Sequence, residues 1–294
     1  MRSERPAAPE SGRRGGLVGF EQRVLARGRA LACPPGTTVV VGFSGGADSL
    51  ALAAALGRVC PRLGLVVRLA HVDHALRDIS LQEQEQARGL AAALGLPFAG
   101  LRVAGDPQAI HPGVGLEEAA RRERYRLLTS AVKGGKVAWD VAAKDASPSI
   151  RPSGLDLDAD AAPALLALAH HEADQAETVL LHLLRGAGLA GAAGMAERAE
   201  QTVPWWEDSS AAPIRLTLWR PLLAEPRTVV RAYAAGLGLA WVEDPSNEDC
   251  SLRRNALRRE ALPILERISP GATAALARYG RTAADDDAAL EALA

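Results

Sequence analysis

The stretch VVVGFSGGADSLAL, Val39 to Leu52, predicts the fold around it. It begins with apolar, β-branched residues typical of a buried strand and ends with the alanines and leucines of a helix. The turn between them, Ser44–Ser49, contains two serines, two glycines and an aspartate. Glycine lets backbone N–H groups approach a phosphate closely, and the dipole of the following helix favours an anion. We therefore predict a strand, a phosphate-binding turn and a helix that begins near Asp48.

Asp48 limits what this turn can bind. A carboxylate repels a bare phosphate, so the pattern indicates that Mg²⁺ lies between the two. The turn is not a Walker A loop, because the lysine of GxxxxGK[ST] is absent. The alternative is an ordinary turn in which Asp48 caps the helix.

Composition excludes little. The 294 residues allow one large domain or two smaller ones, and the 48% hydrophobic content allows a sizeable core. A net charge of −1 neither requires nor excludes a nucleic-acid partner. Cys33, Cys60 and Cys250 show no CxxC spacing, so neither a disulfide framework nor a zinc site is indicated and a cytoplasmic location is expected. No apolar run reaches the ~18 residues of a membrane span, and the N-terminus has no apolar core of a secretory signal.

Strand-like and helix-like segments alternate along most of the chain, which indicates parallel βαβ units. We predict an α/β fold, an open and mostly parallel sheet with helices on both faces. The predicted strands are residues 37–44, 63–74, 97–103, 164–171 and 214–223. Ligands bind at the carboxyl ends of such strands, so Ser44–Ser49, His71–His74 and His170–Asp174 should lie along one edge.

Three segments differ from this pattern. Residues 1–17 are expected to be a disordered tail. Residues 134–163 mix Gly, Pro, Ser and Asp without periodicity and are interpreted as an insertion near the active edge, within a catalytic domain of residues 18–259. Residues 260–294 are expected to form a short helical extension that docks on that domain, because so few residues rarely fold alone.

The turn matches the SGGxDS loop of the PP-loop family, the N-type ATP pyrophosphatases. Six further motifs follow it in order and, with it, resemble the tRNA(Ile)-lysidine synthetase family. These motifs are HVDHALR (71–77), LEEAARRERY (116–125), AHHEADQAET (169–178), LLRGAGLAGAAGM (183–195), RPLL (220–223) and EDPSNEDCSLRRNALR (243–258).

The resemblance implies a ligase that modifies the wobble cytidine in the CAU anticodon of tRNA(Ile). ATP adenylates the cytosine O2 with release of pyrophosphate, the side-chain amine of L-lysine attacks C2, and AMP leaves. It implies Mg²⁺, tRNA(Ile) and L-lysine as partners, and no membrane. The oligomeric state is left open, with a homodimer as one option.

Site residues follow from motif position. The resemblance implies ATP binding by Ser44, Gly45, Gly46, Ala47, Asp48, Ser49 and His71. It implies catalytic roles for Asp48, Arg121, His170, Asp174, Glu177 and Arg254. Asp48 and Asp174 would hold the metal, with lysine as the other option for Asp174. The alternatives are that Asp174 and Glu177 form a solvated first-turn cluster and that His71 is a core residue.

Arginines crowd the end of the last motif. Arg253, Arg258 and Arg259 surround Arg254, which the motif places near the phosphates or the tRNA backbone. Such a row could follow a nucleic-acid backbone, at a distance from bound ATP. The alternatives are a structural salt bridge for Arg254 and a solvated helix paired with acids such as Glu260 and Glu266. The arginines next to Arg121, which are Arg122, Arg124 and Arg126, are interpreted as a solvated face.

One departure leaves other functions open. Ala173 stands where the family has the first of two acidic residues, so any role shared by that pair is in doubt. Another PP-loop enzyme, such as a tRNA thiolase or an amidating ligase, remains an alternative, although a thiolase would be expected to carry a close cysteine pair. A tRNA-binding relative that has lost catalysis is the other.

Overall fold

A computed structural model describes residues 17–73, 80–134, 137–140, 163–204, 213–243, 249–250 and 252–293. In these ranges the strands are β1 (Thr38–Gly42), β2 (Val66–Asp73), β3 (Phe98–Arg102), β4 (Ala164–Ala167), β5 (Arg198–Val203) and β6 (Ile214–Trp219). They form one sheet in the order β3-β2-β1-β4-β6-β5, in which only β5 is antiparallel to its neighbour. The predicted open, mostly parallel α/β sheet is confirmed.

Eleven α-helices lie in the described residues. They are α1 (Gly19–Leu31), α2 (Ala47–Val59), α3 (Ser80–Leu94), α4 (Pro107–Ile110), α5 (Leu116–Val132), α6 (Glu172–Leu183), α7 (Leu189–Ala192), α8 (Arg227–Gly236), α9 (Arg253–Ala256), α10 (Leu262–Ile268) and α11 (Ala272–Leu293). A π-helical turn, Leu257–Ala261, joins α9 to α10. None of the helices in the described part of the chain is both long and apolar enough to span a membrane.

Both faces of the sheet are covered. Val39 and Val41 of β1 pack in a core with α1, α2, α3 and α8, whereas Val40 packs against α5 on the other face. All three valines are fully buried. A strand that is buried on both faces needs an uninterrupted apolar run, which explains why β1 does not alternate with polar residues.

The order of strands places the functional loops together. From β1 the chain runs to β2 on one side and later returns to β4 on the other, so a topological switch point lies between the carboxyl ends of β1 and β4. Open α/β sheets bind ligands at such a point. The loop after β1, Ser44–Gly46, and the loop after β4, Leu168–His171, meet there.

Several elements differ from the sequence prediction. The strand predicted for residues 164–171 ends at Ala167, so His170 lies in a loop and His171 is the N-cap of α6. The strand predicted for residues 214–223 ends at Trp219. The edge strand β5 and the helices α1 and α8 were not predicted. Only Val203 of β5 is buried, so its sequence carries little hydrophobic signal.

The predicted terminal and inserted segments lie partly outside the described residues. Of the predicted tail only Leu17 is described, and it is buried in the core. Of the predicted insertion, residues 135–136 and 141–162 lie outside the description, and Asp140 forms an antiparallel bridge with Phe98. At the other end, α11 packs on α6 with Gly280 at the contact, where an added Cβ would lie 2.7 Å from Val179 Cγ2.

We predict opposite effects of Gly→Ala substitutions in two helices. Gly280→Ala should destabilise the protein by about 1–3 kcal/mol, since the new methyl overpacks the α11–α6 contact. Gly89→Ala in α3 meets nothing within 4 Å and should stabilise by about 0.5–1 kcal/mol. Urea unfolding measures both. Equal shifts of the same sign would contradict the docking of α11.

Candidate active site

The turn after β1 has a conformation that requires glycine. Gly45 has a φ of +82°, and a Cβ there would lie 3.3 Å from Val242 Cγ2 and 3.4 Å from Ala87 Cβ. Its carbonyl accepts a hydrogen bond of 3.0 Å from the N–H of Val242. The turn is therefore held against the segment that follows α8 and cannot accommodate a larger residue without strain.

Serine hydroxyls fix the rest of the turn. Ser49 Oγ donates to the carbonyl of Gly46 at 3.0 Å and lies 3.1 Å from Ser44 Oγ. Gly46 is the N-cap of α2, and no side chain caps this helix. The alternative in which Asp48 is the cap is therefore wrong. The uncapped backbone N–H groups at the start of α2 suit an anionic ligand.

A cavity of about 580 Å³ opens beside this turn. Residues from the ends of β1, β2 and β4 line it, as the sequence predicted for one edge of the sheet. Those with predicted site roles are Ser44, Asp48, Ser49, His71, His170, Asp174 and Arg258. A second cavity of about 260 Å³ shares Asp48, Ser49 and Arg258 with it.

His171, which the sequence analysis did not select, links two predicted site carboxylates. Its Nε2 lies 3.6 Å from Asp48 Oδ2 and its Nδ1 lies 3.3 Å from Asp174 Oδ2. Asp174 Oδ2 also accepts a hydrogen bond of 3.0 Å from the backbone N–H of His171. Burial alone would lower the pKa of His171, but the interactions with Asp48 and Asp174 outweigh it and raise that pKa. The only sequence signal was its position three residues before Asp174, as in a capping box.

Two arginines from the C-terminal part of the chain neutralise the acids of α6. Glu177 is fully buried and accepts hydrogen bonds from Arg254 Nε at 3.1 Å and from Arg258 Nε at 2.6 Å. Arg258 Nη2 also donates to Asp174 Oδ1 at 2.9 Å. Neither acid belongs to a solvated first-turn cluster. A carboxylate with this little exposure requires such paired donors to remain charged.

Arg258 was expected to lie away from the ATP site, and this expectation is wrong. Arg258 lines both cavities, and its partners are Asp174 and Glu177 instead of local acids. Glu266 accepts hydrogen bonds from the backbone N–H groups at the start of α11. Arg253 and Arg259 are exposed, so the row of four arginines divides into an inward pair and an outward pair.

His71 and His170 have lowered pKa values, in contrast to His171. His71 Nδ1 lies 2.9 Å from the carbonyl of Phe43, which leaves Nε2 as the second polar atom, and burial lowers its pKa. Burial is also the main cause that lowers the pKa of His170 to about 4; Asp174 opposes that shift and neighbouring arginines add to it. Both are therefore neutral at pH 7. His74 lies outside the described residues.

The arginines of α5 have different environments. Arg121 is exposed and lines neither cavity described above, and its guanidinium lies 4.9 Å from the centre of the Tyr125 ring. Its charge contributes to the lowered pKa of His170, and its catalytic role stays a prediction. Arg124, interpreted as part of a solvated face, lines the larger cavity. Arg126 forms three hydrogen bonds with the buried Glu123, and Arg122 pairs with Glu118 one turn away.

The residues present fit a metal that is shared with a substrate. Within the described ranges, no three His, Cys, Asp or Glu side chains converge to hold a metal by themselves. Asp48 Oδ1, however, is buried and has no hydrogen-bond partner there. Mg²⁺ is commonly bound by one or two carboxylates together with substrate phosphates. An unpaired carboxylate oxygen beside an anion-binding turn suits that arrangement.

Comparison with known proteins supports these assignments of fold and family. The family model described as PP-loop domain matches residues 22–147 and 157–265. A tRNA(Ile)-lysidine synthase of Salinispora tropica is 40% identical over 272 residues, which cover 92% of this chain and 69% of that protein. Those of Pseudomonas syringae pv. tomato and Thermus thermophilus are each 37% identical, over 82% and 90% of the chain.

The chain spans less than half of these last two relatives, 44% and 43% of their length. Among solved structures, the U34-tRNA thiolase NcsA from Methanococcus maripaludis matches with a TM-score of 0.62 and 15% identity, over 90% of this chain and 78% of that one. At this identity the likeness concerns the fold alone.

The raised pKa of His171 predicts a pH-dependent stability. A group whose pKa is raised by folding stabilises the protein fully below its unfolded value, about 6.5, and this contribution is lost as pH rises through the folded value. The stability difference between wild type and His171→Gln should therefore be larger at pH 5.5 than at pH 8.5. Urea unfolding with EDTA measures it. The pH dependence of this stability difference should be smaller when both proteins also carry Asp48→Asn. A stability difference that grows as pH rises would contradict the raised pKa of His171.

Arg254 and Arg258 face buried acids, whereas Arg253 and Arg259 are exposed. Substitutions in this row should therefore have unequal effects on the stability of the protein. Arg258→Met should destabilise the protein by about 3 kcal/mol, since it leaves buried carboxylate oxygens of Asp174 and Glu177 without a partner. Arg253→Met, at an exposed position, should change stability by less than about 0.5 kcal/mol. If the two variants unfold at the same urea concentration, the cluster is not structural.

Proposed function

Because the chain belongs to the PP-loop domain family and, within it, to the tRNA(Ile)-lysidine synthases, we propose that it ligates L-lysine to C2 of the wobble cytidine in tRNA(Ile) with the CAU anticodon. ATP would be converted to AMP and pyrophosphate. A tRNA substrate implies a cytoplasmic location.

One observation carries the proposal. The anion-binding turn and the carboxylate Asp174 open onto the same cavity, which contains Ser44, Ser49 and the neutral His170. The turn suits phosphates. The carboxylate of Asp174 accepts a hydrogen bond from the cation Arg258 and can accept one from an ammonium group in the same way. A site that brings ATP and an amine together needs both kinds of subsite within reach of one nucleobase.

In the first step, cytosine O2 attacks the α-phosphorus of ATP and the bond to the bridging oxygen breaks. Negative charge grows on the departing pyrophosphate, and fixed donors directed at developing charge lower such a barrier. The N–H groups at the start of α2, with Ser44 and Ser49, are the donors at the turn. A Mg²⁺ held by Asp48, with Asp174 as a second candidate, would add charge neutralisation. Adenylation makes the cytosine oxygen a good leaving group.

In the second step, the lysine amine attacks C2 and AMP leaves with the former O2. The amine must lose a proton before it attacks, and Asp174 can hold the ammonium and accept that proton. Glu177 is fully buried and lines neither cavity, so it acts through Arg254 and Arg258 instead of contacting the amine. His170 is uncharged at neutral pH, so it can lie beside the base without repelling the incoming cation. The single acid Asp174, with Ala173 before it, is expected to suffice because it opens onto the cavity, while Glu177 keeps Arg258 in place beside it.

Contact with the tRNA backbone is assigned to exposed arginines. Arg253 and Arg259 lie on the outward side of the C-terminal row, and Arg121 is exposed on α5. Arg121 remains a candidate for the cation at the reacting phosphate only if substrate binding moves it from the Tyr125 ring.

Nucleoside analysis tests the reaction. The protein is incubated with ATP, Mg²⁺, L-lysine and a tRNA(Ile) transcript, and the digested tRNA is examined by mass spectrometry for lysidine. A transcript with uridine at the wobble position is the control. AMP without lysidine would favour another PP-loop ligase, and no ATP turnover with retained tRNA binding would favour a relative that has lost catalysis.

Asp48→Asn should lower pyrophosphate release at least about 100-fold while the fold is retained, since the amide keeps the shape but loses the charge that a metal requires. Asp106→Asn is the matched control, because Asp106 is the exposed N-cap of α4 and Asn caps equally well. Enzymatic detection of pyrophosphate measures the rate, and circular dichroism the fold. Near-normal release by folded Asp48→Asn would contradict the assignment of Asp48.

A further inference from the structure

The smaller cavity contains a cation that the mechanism above does not use. Its wall is formed by the phosphate-binding turn, including Gly46 and Ser49, and by Arg227 and Arg231 of α8. Arg227 and Arg231 are four residues apart, so they share one face of the helix. The sequence analysis did not select either residue, because neither falls in one of the seven motifs.

The partners of these arginines distinguish them. Arg231 is paired with Glu243 at 2.5 Å, and Arg258, which also lines the cavity, is paired with Asp174 and Glu177. Arg227 forms no ion pair with the described residues, and its Nε is buried there without a hydrogen-bond partner. A buried donor without an acceptor is costly, so its presence indicates an acceptor supplied by a ligand.

The size and charge of the two cavities indicate which part of a ligand each would bind. The larger cavity, about 580 Å³, contains the two neutral histidines His71 and His170 and suits a nucleoside. The smaller, about 260 Å³, adjoins the start of α2, where backbone N–H groups lack caps. Of the three acids in its wall, Glu243 is paired with Arg231 and accepts a hydrogen bond of 2.8 Å from Trp241 Nε1. Asp48 and Glu83 are the other two, so the cavity suits a small, multiply charged anion that is bound together with Mg²⁺.

We propose that Arg227 binds the β- and γ-phosphates of ATP and holds the pyrophosphate that leaves. This inference rests on the proposed cleavage of ATP between the α- and β-phosphates. When that bond breaks, its electron pair goes to the bridging oxygen of pyrophosphate, and the new bond joins the α-phosphorus to the attacking oxygen. The guanidinium stays protonated throughout and donates two N–H groups in a fixed plane to the anionic oxygens.

Binding of inorganic pyrophosphate and of AMP, each with Mg²⁺, separates this role from others. Isothermal titration of the purified protein should show that Arg227→Met weakens pyrophosphate binding at least about tenfold, as expected for loss of a charge-assisted hydrogen bond. AMP lacks the β- and γ-phosphates, so its affinity should change by less than about twofold. Arg227→Lys should give an intermediate loss, since it keeps the charge but not the planar fork.

An exposed arginine outside both cavities serves as the control. Arg198→Met, at the start of the edge strand β5, removes one cation in the same way, and pyrophosphate affinity should stay within about twofold of wild type. Urea unfolding checks each variant, and Arg227→Lys carries the test if Arg227→Met does not fold.

The outcomes are distinct from those of the lysidine assay. Wild-type pyrophosphate affinity in folded Arg227→Met overturns the inference, and so does an equal loss of AMP and pyrophosphate binding. Loss of pyrophosphate binding in the variant supports it even if no lysidine forms, in which case only the proposed substrate is wrong. A wild-type protein that binds neither ligand overturns both proposals.

Discussion

The arrangement of the site depends on one buried carboxylate, Glu177, which is fully enclosed between the guanidinium groups of Arg254 and Arg258. A charge in this position is tolerable only when donors surround it. The interaction joins α6, at the end of β4, to the segment that begins α9. It therefore attaches the C-terminal part of the chain to the centre of the sheet and makes that part a wall of the active site.

A chain of charges continues from this pair to the phosphate-binding turn. Arg258 contacts Asp174, Asp174 lies beside His171, and His171 lies beside Asp48. The two aspartates raise the pKa of His171, while His171, His170 and Arg258 keep the pKa of Asp174 low against the effect of burial. An anion bound at the turn would thus change the electrostatic potential at Asp174, the acid that is proposed to hold an amine.

This coupling offers a physical reason for a small site to serve the two proposed reactions. Phosphates and an ammonium group have opposite charges, and in the same cavity each would be repelled by the other's binding groups. Fixed arginines between them shield the acids until substrates bind. Membership of the tRNA(Ile)-lysidine synthases is consistent with such a site, and the PP-loop fold places it at the switch point between β1 and β4.

The sequence by itself determined the elements whose signal is local. The strand, turn and helix around Ser44–Ser49 follow from apolar runs and glycine, and so does the parallel α/β sheet. The motifs also selected Asp48, Asp174 and Glu177, which the fold brings to one edge. Spacing on the chain was sufficient there, because the carboxyl ends of parallel strands meet irrespective of loop length.

Tertiary structure decided the partners. Arg258 and Glu177 are 81 residues apart in sequence, and Arg254 and Glu177 are 77 apart, so only packing brings them together. For the same reason the sequence did not distinguish His171 from His170, the cavity-lining Arg124 from its neighbours on α5, or Arg227 from an ordinary surface arginine. Whether a side chain is a binding group or part of a salt bridge depends on what the fold places within about 3 Å of it, and local composition carries no record of that distance.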